Sequence, residues 1–252
     1  MHLLKLNGDG KPSLTRFTAG NIPSYAILSH TWEANDQEVT FKDLTDGVKI
    51  GKVGYRKIWF CGEQARKDGL QYFWVDSCCI DKSSSAELQE AINSMFGWYQ
   101  NAAKCYVYLS DISTGKHSRS SQLLWHVAFT QSRWFTRGWT LQELLAPSSV
   151  EFFSREGKWL GDKKSLEAQI QQVTGIAIQA LQGTSLSEFS VDERMSWAAK
   201  RETTIEEDQA YCLLGIFDTH LPLIYGEGKE NAFRRLRKEI LGFGGKCRFV
   251  YI

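Results

Sequence analysis

Four short apolar runs constrain this 252-residue chain more than any other feature: Tyr25–Leu28 (YAIL), Tyr72–Val75 (YFWV), Cys105–Leu109 (CYVYL) and Val150–Phe153 (VEFF). Each stops abruptly in polar residues, at Ser29-His30, Asp76-Ser77, Ser110-Asp111 and Ser154. Near-continuous apolar runs suit strands covered on both faces, because a half-exposed strand would alternate apolar with polar positions. Helical patterns separate them. Tyr55, Ile58, Trp59, Gly62 and Ala65 make one stripe. Leu88, Ile92, Met95, Phe96 and Tyr99 make a stronger one, opened by the capping spacing Ser84-x-x-Glu87. A third pattern, from Ser121 to Leu145, reads as two helices broken near SRWFTRG (132–138). This alternation predicts an α/β fold, a flavodoxin-like parallel sheet flanked by helices. Ligands of such sheets sit beyond the carboxyl ends of the strands, which places Ser29, His30, Asp76, Ser110 and Asp111 on the functional edge.

After residue 154 the pattern turns helical, with no convincing strand. Leu166, Ile170 and Val173 form one stripe. Thr204-x-x-Glu207 is expected to cap a helix carrying Ala210, Leu213, Leu214 and Phe217, and Phe233, Leu236 and Ile240 mark the last helix. The expected organisation is an α/β core over 1–155, an all-helical extension of the same domain over 156–241, and a glycine-rich linker or tail over 242–252.

The charge balance excludes one large class of function. Thirty Lys and Arg face 29 Asp and Glu, a formal charge of +1, so no basic excess marks a nucleic-acid binder. The six cysteines, Cys61, Cys78, Cys79, Cys105, Cys212 and Cys247, form no CxxC pair and read as reduced thiols of a cytoplasmic protein. No apolar run reaches the 18 residues of a membrane span, and no cysteine or histidine spacing suggests a metal.

The segment SRWFTRGWTLQELLAP (132–147) poses the sharpest question of chemistry. If 137–145 is helical, Leu141, Leu144 and Leu145 fall on a buried face, while Trp139, Gln142 and Glu143 share another. Pro147 ends the helix near Ala146. Glu143 is then expected one turn from a helix C-terminus, where the dipole disfavours an acid. Either it is a site carboxylate facing a cleft between the strand ends and the loop from Asp76 to Ser85, or it pairs with Arg137. His30 either contacts a ligand or satisfies strand-end backbone. Asp76 either binds a hydroxyl or caps its own loop. Cys78 and Cys79 read as inert buried thiols rather than nucleophiles, since only His30 offers a base. In the helical part, Arg194, Trp197, Arg201 and Asp208 read as a buried ion-pair lattice. The GxGK within YGEGKE (225–230) reads as a turn before the last helix.

The motifs YAILSHTW, EVTFKDL, GLQYFWVDSCCIDKSSSAELQEAINSMFGWYQNAAKCYVYLSD, SRWFTRGWTLQELLAP, ERMSWAAKRETTIEEDQAYCLLGIFD and PLIYGEG together resemble the fungal heterokaryon-incompatibility (HET) domain, from about residue 3 to residue 240. The resemblance implies a cytoplasmic module that triggers cell death when incompatible cells fuse, that self-associates, and that in longer chains precedes a nucleotide-binding oligomerisation module. HET domains are in turn similar, in element order, to Toll/interleukin-1 receptor (TIR) domains of innate immunity. In enzymatic TIR domains a W-x-x-x-E motif supplies the glutamate that cleaves nicotinamide from NAD, and Trp139 to Glu143 (WTLQE) looks like that motif. The resemblance therefore implies Glu143 as catalytic, with Ser29, His30, Trp32, Asp76, Cys79, Arg137 and Trp139 around the substrate. NAD or NADP is implied as substrate rather than cofactor, and Arg137 or Arg133 as the holder of its phosphates.

Overall fold

The computed structural model describes residues 1–18, 20–34, 36–47, 51–114 and 119–243, with the side chains of 119–124 and 243 excepted. The stretch 244–252, most of the expected tail and with it Cys247, lies outside the described residues. Seven strands form one sheet among the described residues: β1 (His2–Leu6), β2 (Pro12–Arg16), β3 (Tyr25–His30), β4 (Tyr72–Trp74), β5 (Lys104–Leu109), β6 (Val150–Ser154) and β7 (Trp159–Asp162). Their order is β2-β1-β4-β3-β5-β6-β7. The four apolar runs make the centre, β4-β3-β5-β6, and every pair in it is parallel. From β3 the chain goes to one neighbour, β4, then crosses back to the other, β5. That reversal is the flavodoxin-like order, and it leaves a crevice at the carboxyl ends of β3 and β5.

Two features of the sheet go beyond the alternation read from the sequence. An antiparallel hairpin, β1–β2, pairs with β4. Its turn is Asn7-Gly8-Asp9-Gly10, where the Gly10 amide donates to the Asn7 carbonyl at 2.9 Å and Gly10 takes a φ of 77°, a conformation that only glycine adopts freely. Beyond residue 154, where no strand was expected, β7 returns antiparallel to β6.

The helices are α1 (Phe41–Thr45), α2 (Tyr55–Lys67), α3 (Ser85–Gln100), α4 (Arg119–Thr130), α5 (Thr140–Leu145), α6 (Glu167–Thr174), α7 (Ile178–Leu181), α8 (Val191–Ser196), α9 (Asp208–Tyr211) and α10 (Lys229–Phe243). In α2 the buried face runs through Lys57, Ile58, Phe60, Cys61 and Ala65. Trp59, expected in the stripe, points away and is 49% exposed. The Ser84 hydroxyl caps α3 by accepting from the Glu87 amide at 3.3 Å. Thr204 caps nothing: α9 starts at Asp208 without a side-chain cap, and Leu213, Leu214 and Phe217 lie beyond its end.

The C-terminal helical part is fastened to the sheet's covering helix by side-chain amides. Gln89 and Asn93, one turn apart on α3, both donate to the Leu221 carbonyl (2.8 and 3.0 Å) and accept from the amides of Leu223 and Leu221 (2.7 and 3.0 Å). They hold a stretch of irregular backbone as a neighbouring strand would. Beside this seam Gly215 packs flush on Phe96, where an added Cβ would lie 2.1 Å from the Phe96 Cβ. Gly97 on the same helix faces open space.

These two glycines give opposite expectations. Gly215→Ala should destabilise by about 1–3 kcal/mol or more through overpacking. Gly97→Ala should stabilise by about 0.5–1 kcal/mol by lowering the entropy of the unfolded chain in a helical position. Urea midpoints of the two variants check this, and shifts of the same sign would contradict the packing described.

Candidate functional site

Side chains alternate along β3, so its last two residues face opposite sides of the sheet. Ser29 faces α5 and His30 faces α2, and each anchors a cluster.

On the Ser29 side, α5 is only six residues long and all six are buried. It starts three residues later than the pattern suggested, which puts Glu143 in its first turn as well as near its end. The Ser29 hydroxyl donates to Glu143 Oε2 and accepts from the Trp134 indole at 2.8 Å. Glu143 forms no ion pair with Arg137; the arginine acts on it through space only. Burial, reinforced by the charge of Asp76, pushes the Glu143 carboxyl up to about 8, against the opposing effects of Ser29, Arg137 and Tyr99. Below that value it is a neutral acid.

The cluster on the His30 side is built of charges. Lys57, a lysine on the buried face of α2, donates to Glu38 Oε2 at 2.6 Å and to the Thr31 carbonyl at 3.0 Å. Glu38 Oε2 also accepts from the Glu33 amide at 2.8 Å. Asp76 Oδ2 accepts from the Trp32 indole at 2.8 Å. The other oxygens of these two acids point at the imidazole: His30 Nε2 is 3.6 Å from Asp76 Oδ1 and 3.8 Å from Glu38 Oε1. At those distances no hydrogen bond forms. Both ring nitrogens of His30, Asp76 Oδ1, Glu38 Oε1 and the Ser77 hydroxyl are buried without a protein partner. Burial, and the positive charges of Lys57, Arg137 and Lys82, hold the His30 imidazole well below its usual range.

A rim of aromatic and basic side chains covers this edge. The Lys82 ammonium sits 3.7 Å from the centre of the Trp32 ring, and the Arg137 guanidinium carbon lies 6.0 Å from it. Trp139 donates its indole N–H to Asp208 Oδ2 at 3.1 Å, and Tyr225 donates to Asp208 Oδ1 at 3.0 Å. The helical part thus completes the rim. A cavity of about 430 Å³ lies against Trp32, Glu38, Ser77 and Lys82. A second, of about 250 Å³, opens beyond β5 against Lys57, Ser110, Asp111 and Arg133. Glu143 lines neither, so the cleft expected in front of its carboxylate is closed in this form.

Of the residues expected from the sequence, the fold brings Ser29 to Glu143, and His30 to Trp32 and Asp76. Arg137 and Trp139 join the rim. Cys79 does not join the cluster: its sulfur accepts from the Val75 amide at 3.4 Å. Cys78 is also fully buried, and burial pushes its thiol well up, as suits an inert buried thiol. In the expected ion-pair lattice, Arg201 and Asp208 make neutral contacts instead. The buried Arg201 guanidinium donates to the Arg137 carbonyl (2.9 Å), the Thr140 hydroxyl (2.8 Å) and the Trp197 carbonyl (3.2 Å). Sequence reasoning missed Glu38, Lys57, Lys82, Trp134 and Tyr99. Lys57 carried a signal, since it stands at i−4 from Cys61 within the α2 pattern.

Residues 25–126 match the sequence model of the family described as heterokaryon incompatibility protein (HET). The chain is similar to vegetative incompatibility protein HET-E-1 of Podospora anserina, 59% identical over 241 residues, which is 95% of this chain. It spans about 18% of that relative's length. No solved structure matches it.

The raised Glu143 carboxyl makes stability depend on pH in a definite direction. Between its ordinary value of 4.5 and about 8, the native state keeps a proton that the unfolded chain releases. This contribution is therefore complete below pH 4.5 and is lost as pH rises through 8, at up to about 1.4 kcal/mol per pH unit. The lowered His30 works oppositely, its contribution being lost as pH falls below 6.5. Glu143→Gln removes only the first effect, so the variant should gain on wild type as pH rises from 5 to 8. Denaturant midpoints at both pH values check this; parallel profiles would mean that Glu143 is ionised in the fold.

Proposed function

Since this chain carries a heterokaryon incompatibility (HET) domain, we propose that it is a cytoplasmic cell-death effector of fungal vegetative incompatibility, related in mechanism to TIR domains of innate immunity. Self-association switches it to hydrolysing NAD or NADP. In a longer chain an adjoining nucleotide-binding oligomerisation module would supply the clustering.

One observation carries this reading: buried polar atoms without protein partners converge at the strand-order reversal, one residue along β3 from the Ser29 that holds Glu143. Buried polar groups are normally satisfied, and exceptions mark places where a ligand or water belongs. Asp76 Oδ1, Glu38 Oε1 and His30 offer acceptors and a donor of the kind that ribose hydroxyls require. The face of Trp32, now covered by Lys82, would take a planar ring. Arg137, whose guanidinium has no hydrogen bond or ion pair among the described residues, would take a diphosphate.

In the reaction, the bond between ribose C1′ and the nicotinamide nitrogen breaks and its electron pair leaves with neutral nicotinamide. Water oxygen bonds to C1′, and its proton goes to solvent. The products are nicotinamide, ADP-ribose and a proton. An ionised Glu143 would stabilise the positive charge that develops on the sugar, as a carboxylate does in glycoside hydrolysis. A carboxyl with a pKa of about 8 is mostly protonated at neutral pH and cannot do this. On this reading, activation opens the Trp32 and Lys82 rim to water and ionises Glu143.

A second reading has its own support. Glu143 is only 6% exposed and lines neither cavity, as befits a structural acid in a death module that signals by assembly alone. The test is nicotinamide release from NAD by the chain fused to an oligomerising tag. Under the hydrolase reading the clustered protein turns over, the unclustered one is slower, and Glu143→Gln loses about a hundredfold, roughly 3 kcal/mol of transition-state stabilisation. Clustered protein that triggers cell death without releasing nicotinamide would establish the assembly reading instead.

A further inference from the structure

The cavity beyond the end of β5 plays no part in that proposal, and the donors of its basic groups are only partly used. Of the basic groups lining it, Lys57 is neutralised by Glu38. Arg56, Arg133 and Arg155 also line it. The Arg56 guanidinium has no hydrogen bond or ion pair among the described residues. Arg133 spends one nitrogen on the Ser110 hydroxyl at 3.2 Å. Arg155 approaches only its neighbour Glu156, at 3.4 Å. That carboxylate is already engaged by Ser113, Thr114 and Ser154.

The acids nearby take few of these donors. Asp111 accepts from the Ser132 hydroxyl (2.9 Å) and the Arg133 amide (2.9 Å) and Glu33 lines the hollow with it, so the guanidinium groups keep donors free although the lining carries charges of both signs. Three guanidinium groups thus surround a hollow of about 250 Å³, too small for a whole dinucleotide. Its floor is set by Ser110, whose hydroxyl lies 3.3 Å from that of Thr31. The hollow therefore lies at the ends of β3 and β5, at the order reversal, and Trp32 is not part of its lining.

We propose that Arg56, Arg133 and Arg155, with the Ser110 hydroxyl, form a binding site for the phosphate or diphosphate group of a small molecule, distinct from the Glu143 cluster. Forked guanidinium donors match phosphate oxygens two at a time. The three arginines come from α2, the turn after α4 and the turn after β6, so a bound phosphate would tie together segments that are far apart in sequence. The site does not depend on the hydrolase reading, because it is read by binding rather than turnover.

The experiment is titration calorimetry of the full chain with sodium pyrophosphate, with inorganic phosphate and ADP as parallel arms, at constant ionic strength set with chloride. Saturable binding is expected, tighter for pyrophosphate than for phosphate. The double variant Arg56→Gln/Arg133→Gln should weaken it at least tenfold, and Arg155→Gln alone severalfold. Arg234→Gln, on α10, removes the same charge elsewhere and should change it less than twofold. Equal affinity for ADP and pyrophosphate would mean that only the phosphates are held, whereas tighter ADP binding would mean that the nucleoside also reaches a wall; both support the site. Absence of saturable binding, an unaffected double variant, or equal weakening by Arg234→Gln would each overturn it. Because the substituted arginines are exposed, the variants should melt within a few degrees of wild type without ligand.

Discussion

Everything at the carboxyl edge of this sheet follows from the burial of β3 along its whole length, from Tyr25 to His30. A central strand buried on both faces is ordinarily apolar throughout. This one ends in a serine and a histidine, and each must find partners in a medium that penalises unpaired polar groups. Ser29 is fully satisfied, by Glu143 and Trp134. His30 is not satisfied at all. The contrast sets a satisfied and an unsatisfied polar side chain next to each other within one dipeptide.

The charges gathered around His30 are held there at a cost. Lys57 and Glu38 form an ion pair with side chains 2% and 5% exposed. Removing one partner of such a pair would leave the other buried and uncompensated, a loss of about 3–5 kcal/mol. An apolar pair of similar volume would often be at least as stable. Lys57 does more than neutralise Glu38: by also donating to the Thr31 carbonyl, it fixes the backbone that leaves β3. It also fixes one carboxylate oxygen and leaves the other aimed at the histidine. An arrangement that sacrifices stability to orient an unpaired acceptor is what a binding site requires and a core does not.

How much of this was legible in the sequence can be traced residue by residue. The four apolar runs placed the parallel centre, because a strand buried on both faces has no polar face to disguise it. Their polar endings gave Ser29, His30 and Asp76. The hairpin β1–β2 was also legible, since Asn-Gly and Asp-Gly in tandem are strong turn signals. The strand β7 was not legible: its four residues, Trp159–Asp162, include an exposed tryptophan and a glycine, and it owes its existence to pairing with β6. The helix that carries Glu143 ends where Pro147 suggested but starts later than the pattern did. The helix begins after Gly138, where an added Cβ would lie 2.5 Å from Thr203 Cγ2, a tertiary contact that no local pattern reveals. The same holds for Glu38 and Lys82, which reach the histidine from loops whose paths depend on the rest of the fold.

That contact at Gly138 leads to the relation between the helical part and Glu143. The Gly138 amide donates to the Glu202 carbonyl at 2.8 Å, and the Glu202 amide donates to the Thr136 carbonyl, so the two segments pair like strands across Arg137. Arg201, next in the chain, inserts its guanidinium under the start of α5 and holds the Arg137 carbonyl and the Thr140 hydroxyl. Its partners are dipoles rather than a carboxylate, and burial lowers its own pKa to about 10, so its charge remains largely uncompensated inside the protein. A positive charge fixed beneath the helix that carries Glu143 favours ionisation of that carboxyl, against the burial that opposes it. The helical part therefore acts on Glu143 in two ways: it sets where α5 begins, and it contributes to the field in which the carboxyl titrates. A movement of the 201–208 segment, which also carries the Asp208 that holds Trp139, would change the rim and the charge state of Glu143 together, because the same backbone positions both.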